Sequence, residues 1–121
     1  MALKGSDRYV VDGALCRIDG QVLHVLNLSV SGLFVAAETA LPPGLAIELE
    51  LALGGRPPFR VLGKVTWVND PLSRKAPLLP RGFGVQITRI AMPDKLAIVE
   101  ALKQARAVDG RRNPDRKARP R

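Results

Sequence analysis

The sequence predicts a mainly β protein: a six-stranded antiparallel β-barrel, one C-terminal α-helix and a disordered basic tail. Three observations carry this. In the clearest runs, apolar residues recur at every second position, the period of a half-buried strand. Turn-forming stretches separate those runs, in a chain of 121 residues with 11 glycines and 10 prolines. The period then changes once, near Met92, to that of a helix.

The elements follow in order. "RYVVDGALCRI", Arg8 to Ile18, reads as a first extended segment with a glycine inside it. "QVLHVLN", Gln21 to Asn27, is a second strand, and Asp19-Gly20 supplies the hairpin turn between them. "GLFVAAE", Gly32 to Glu38, is a third, ended by the two prolines of "TALPPG". In "LAIELELAL", Leu45, Ile47, Leu49, Leu51 and Leu53 share one face, and Ala46, Glu48, Glu50 and Ala52 the other. In "FRVLGKVTWV", Phe59, Val61, Gly63, Val65 and Trp67 alternate with Arg60, Leu62, Lys64, Thr66 and Val68. After a long connection from Asn69 to Pro80, "GFGVQITRI" puts Phe83, Val85 and Ile87 on one face. "MPDKLAIVEALKQARAV" is the helix. Pro93 and Asp94 suit its first turn, and Leu96, Val99 and Leu102, flanked by Ile98 and Ala105, form its apolar stripe. Gly110 is the expected stop. Short connections imply antiparallel hairpins, and a small antiparallel sheet best removes its edges by closing. The helix then covers one open end. The expected organisation is a flexible segment at 1–7, the barrel and helix over 8–108, and the disordered tail at 109–121.

Composition narrows the function. Aromatics are 4% and hydrophobics 46%, so the core is built of Val, Leu, Ile and Ala. The net charge of +8 is uneven, because residues 111–121, "RRNPDRKARPR", hold six Lys/Arg against one Asp. That tail has no aromatics for base stacking and no apolar face, so its expected contacts are nonspecific and anionic. No apolar run approaches the ~18 residues of a membrane span, so no membrane insertion is expected. The N-terminus lacks the apolar block of a secretory signal, and a cytoplasmic location is expected. The single Cys16 reads as a small apolar residue, and His24 as an outward-pointing strand residue. No Cys/His cluster has metal-ligand spacing and Ser29 has no nucleophile-elbow context. The chain is not expected to be an enzyme or to need a cofactor.

What remains is "NLSVSG", Asn27 to Gly32. As a turn it is ordinary: Asn and Ser bond their own backbone and Gly supplies φ > 0. Yet it holds more polar groups than a turn requires. A basic segment, Lys4 to Arg8, lies just before the first strand. If the first two strands pair, Arg8 returns near Asn27. Guanidinium, amide and hydroxyl together suit an anionic ligand with hydrogen-bonding edges.

At these residues the sequence resembles the PilZ domain family, whose signatures are R-x-x-x-R before the first strand and [D/N]-x-S-x-x-G between the second and third. The second is present as Asn27, Ser29 and Gly32, and "GKVTWV", "GFGVQI" and the final helix also resemble the family's pattern. The resemblance runs from about Lys4 to Ala105. It implies a six-stranded PilZ-type barrel that binds the bacterial second messenger cyclic di-GMP, with Lys4, Arg8, Asn27, Ser29 and Gly32 as the ligand-binding set. In the family the arginines grip guanine and phosphate, and the second motif holds a guanine. Lys4 stands where the first arginine belongs; it keeps the charge but not the planar fork. Two readings follow. One is a non-enzymatic receptor that answers the nucleotide by changing its surface for an unidentified protein partner. The other is a degenerate adaptor that binds the nucleotide weakly or not at all.

Overall fold

The computed structural model describes residues 8–39, 41–70 and 79–107. The strands are β1 (Tyr9–Val10), β2 (Leu15–Ile18), β3 (Gln21–Leu28), β4 (Gly32–Ala36), β5 (Ala46–Ala52), β6 (Phe59–Asn69) and β7 (Gly82–Arg89). Helix α1 (Met92–Lys103) and a last short strand, β8 (Arg106–Ala107), follow. Every pairing is antiparallel. The wall runs β2-β5-β6-β7-β4-β3, and β2 pairs back onto β3, so six strands close into a barrel with no free edge. The predicted fold class is the observed one. The Asp19-Gly20 turn also behaves as expected, with φ of 51° and 80° at its two centre residues.

The first predicted strand is two pieces. Gly13 takes φ 79°, which breaks the extended run, and Ala14 N–H bonds to the Val11 carbonyl at 3.1 Å. Beyond this kink β2 closes the barrel, while β1 pairs with the far end of β3, Tyr9 opposite Leu28. β8 then adds to β1, Ala107 opposite Tyr9.

The core is aliphatic, as the low aromatic content required. Leu28, Leu33, Val35, Leu49, Leu51, Val61, Val65, Phe83 and Val85 are all buried. In β5 the predicted alternation places Leu49 and Leu51 inside, although Leu45, before the strand begins, is exposed. The alternation in β6 holds only as far as Val65, for a reason that shapes the site.

Helix α1 differs from expectation at its face and its end. Leu96 is 59% exposed, and the buried residues are Ala97, Ile98 and Leu102, with Ala101 and Ala105 packed beside them. The apolar face therefore lies one position round from the Leu96–Val99–Leu102 stripe. Pattern reading favoured the larger residues, whereas the small side chains at 97, 101 and 105 let the helix settle on the barrel. The helix ends at Lys103, with Gln104 N–H on the Ala101 carbonyl and Ala105 N–H on the Leu102 carbonyl, because the chain must turn there to pair β8 with β1. Gly110 lies outside the described residues, as do 1–7 and 109–121.

Two measurements check this packing. Ile98→Ala should cost about 2–4 kcal/mol in denaturant unfolding and Leu96→Ala under about 0.5 kcal/mol; equal costs would overturn the assigned face. Cys16 is buried at 2% exposure, and burial pushes its thiol up to about 12. It should resist thiol reagents at neutral pH until the protein unfolds, and labelling of the native state at the rate of a free thiol would contradict that.

Candidate functional site

The site begins with an irregularity in β3. Val25 faces the core opposite Val35, and Leu28 faces it opposite Leu33. Core positions on a regular strand are two apart, and these are three apart. The register slips between Val25 and Asn27, a β-bulge that inserts one residue and reverses which side later residues face. Without it Asn27 would point inward beside Val25. With it Asn27 turns to the outer side, opposite Phe34.

Arg8 meets it there. Arg8 Nη1 donates to Asn27 Oδ1 at 2.9 Å across 19 residues of sequence. The pairing of Tyr9 with Leu28 holds the two elements in reach, as expected from strand pairing. Arg8 is partly buried and Asn27 is 8% exposed. Burial lowers the pKa of the Arg8 guanidinium below the ordinary arginine value, because desolvation penalises the cation. Among the described residues no carboxylate pairs with it. The amide fixes the fork without neutralising it.

Ser29 and Gly32 form the adjoining turn. Ser29 is fully buried. Its Oγ accepts from Gly32 N–H at 3.0 Å and Ser31 N–H at 3.2 Å, and it lies 3.2 Å from the Gly32 carbonyl, to which it donates. Ser29 N–H donates to that same carbonyl at 2.8 Å. The hydroxyl therefore shapes the loop that follows Asn27. Gly32 is required for a different reason from the one predicted. It is not among the residues with positive φ. Instead a Cβ there would collide with the Val85 carbonyl of β7, so the residue is glycine because two backbones pass too closely for a side chain. The structure thus brings Arg8, Asn27, Ser29 and Gly32 together. Lys4 lies outside the described residues.

Pattern reading missed two residues here. Leu33 and Val35 face the core, so Phe34 between them faces out, yet it is only 1% exposed. Its cover is Trp67. The β6 alternation placed Trp67 inside with Val65, and the structure corrects this. A second bulge between Val65 and Trp67 reverses the facing, so Val68 packs toward the core opposite Phe83 and Trp67 lies outside opposite Gly84. The two rings sit 5.3 Å apart at 33°. They meet across the intervening strand because Gly84 has no side chain; a Cβ there would land on the indole. The outer wall therefore carries one row across neighbouring strands: Asn27, Phe34, Gly84, Trp67, with Arg8 at the Asn27 end. The row joins a desolvated cation, an amide and a half-buried indole. It has the means to bind an anion that also carries a flat ring. The clue in the sequence was the broken alternation, core residues three apart in β3 and at Val65–Val68 in β6.

Among the described residues no group of His, Cys, Asp and Glu is placed to hold a metal, and no helix is long and apolar enough to cross a membrane.

Comparisons with known proteins agree with this architecture. No curated protein matches the chain in sequence. Three solved structures share its fold at low identity. An uncharacterized Legionella protein has TM-score 0.56 and 17% identity, covering 88% of this chain and 98% of that one. The inhibitor of motility MotI of Bacillus subtilis has TM-score 0.59 and 18% identity, covering 85% of this chain and 51% of that one. The PilZ domain of YcgR from Escherichia coli, solved with c-di-GMP, has TM-score 0.58 and 13% identity, covering 79% and 86%. The family model of the PilZ domain matches residues 6–104, from just before Arg8 to the end of α1. The chain belongs to the PilZ domain family.

Proposed function

We propose that this protein is a receptor for cyclic di-GMP and that the outer row from Arg8 to Trp67 carries the nucleotide. The observation that supports this most is Arg8: a partly buried guanidinium, aimed by Asn27 and paired with no carboxylate among the described residues. Such a cation is costly unless an anion completes it. A cyclic dinucleotide offers two phosphates and two guanines, whose O6/N7 edges match the same fork. Asn27 keeps its amide N–H groups for a base edge while its Oδ1 holds Arg8. Ser29 and Gly32 set the loop rather than touch the ligand. Trp67 supplies a half-exposed ring for stacking. The second cation of the grip is Lys4, a point charge in place of a fork.

The chain then works without catalysis. Ligand neutralises the basic segment and changes the surface around β1 and β3, which an unidentified protein partner reads. Lys4 favours a second reading, an adaptor in which the nucleotide grip has weakened.

Titration calorimetry separates the two. The receptor reading predicts measurable heat at tens of micromolar protein, and its absence from folded protein would favour the adaptor. Arg8→Ala and Asn27→Ala should each weaken binding by about ten- to a hundredfold, corresponding to ~1–3 kcal/mol. Lys4→Arg should strengthen it. A parent affinity unchanged by Arg8→Ala would remove Arg8 from the site.

A further inference from the structure

We propose that the outer face of α1 is a contact surface for a second copy of this chain, with the two helices side by side and parallel. The pairing does not depend on the receptor reading above.

A surface helix is normally apolar toward its core and polar away from it. α1 is apolar on both sides. Ala97, Ile98 and Leu102 turn to the barrel. On the side turned away, Met92 is 63% exposed and Leu96 59%, two of the four large apolar side chains exposed among the described residues. The other two, Val22 in β3 and Leu45 before β5, stand on different elements. Met92 and Leu96 instead lie one helical turn apart, and half-buried Val99 continues their line. Apolar residues exposed singly need no explanation, whereas a line of them along one helix marks a surface that something covers. Met92, Leu96, Val99 and Lys103 follow at spacings of four, three and four, the repeat by which one helix packs along another.

Charge complementarity selects the occupant and its direction. Lys95 flanks the apolar line on one side and Glu100 on the other, and both are exposed. Among the described residues neither forms an ion pair, whereas Asp94, nearer the barrel, lies 3.7 Å from Arg56. In a parallel two-fold pair, opposite flanks of the two helices meet. Lys95 of one copy then faces Glu100 of the other, five residues on, and symmetry makes the bridge twice. An antiparallel pair sets like flank against like flank, so neither charge meets its opposite. Lys103 at the end of the line is a single charged position in the seam, which costs stability and favours a defined pair over larger clusters. The contact is short. α1 has 12 residues, a length of about 18 Å. Two such faces cover less than the ~1,200 Å² at which stable interfaces begin, so the pair forms and parts with concentration.

The test is sedimentation velocity of the full chain without nucleotide, from ~5 µM to ~1 mM. The parent should pass from monomer to dimer with a midpoint on the order of 100 µM. Leu96→Glu should remain a monomer throughout, and should melt as the parent does at ~5 µM, where both are monomers. Lys95→Glu and Glu100→Lys should each weaken the dimer about three- to tenfold at ~0.05 M salt. The double reversal, Lys95→Glu with Glu100→Lys, should bring it back to within about twofold of the parent. A parent that stays monomeric to ~1 mM would overturn the inference, as would a dimer that survives Leu96→Glu. A double reversal as weak as the single ones would overturn the parallel pairing. Cosedimentation of a monomeric parent with vesicles of an anionic phospholipid, lost in Leu96→Glu, would give the face to a membrane surface and also overturn it. None of these results touches nucleotide binding, which calorimetry reads separately.

Discussion

One inserted residue in β3 governs the outer surface of this barrel. In a closed wall every side chain faces either in or out, and a regular strand has no freedom to choose. The bulge between Val25 and Asn27 changes that parity, keeping Leu28 in the core while turning Asn27 outward. The bulge between Val65 and Trp67 does the same three strands away, in β6. Here the pairing of β2 with both β3 and β5 completes the wall, and the core on either side of each bulge stays packed.

The rest of the site inherits its geometry from those reversals. Asn27 faces out at the level where β1 crosses, so Arg8 meets it at 2.9 Å. Trp67 faces out over Gly84, so its ring reaches Phe34 and continues the row. Ser29 and Gly32 hold the loop after Asn27, the first by hydrogen bonds and the second by leaving room for β7. The strand that follows Arg8, β1, also accepts β8. One corner of the molecule thus gathers Arg8, the Asn27–Gly32 loop and β8.

Much of this was legible in the sequence. Period-two runs identified the strands, and the turns between them implied hairpins and closure. The motif Asn27-x-Ser29-x-x-Gly32 and its return partner Arg8 were readable because strand pairing follows from a short turn. What could not be read has a common cause. Strict alternation assumes an unbroken pleat, so it sent Trp67 inward and overlooked Phe34; a bulge depends on pairing across strands and leaves only an odd spacing in one of them. Gly32 was assigned to a special φ because turns usually need one, whereas its reason is a neighbour 53 residues away in sequence, Val85. The helix face was misread by one position because large side chains dominate pattern counts, while contact distance favoured Ala97.

If a nucleotide lies along the outer row from Arg8 through Asn27 to Trp67, the residues of that row must report it. The most direct measurement is a backbone and side-chain NMR titration of the protein with cyclic di-GMP. Saturable shifts are expected at Arg8, at Asn27 through Phe34, at Gly84 and at the Trp67 indole, with the β5 wall around Glu48 and Glu50 unmoved. Shifts centred on that wall or on α1, with Arg8 and Asn27 silent, would contradict it.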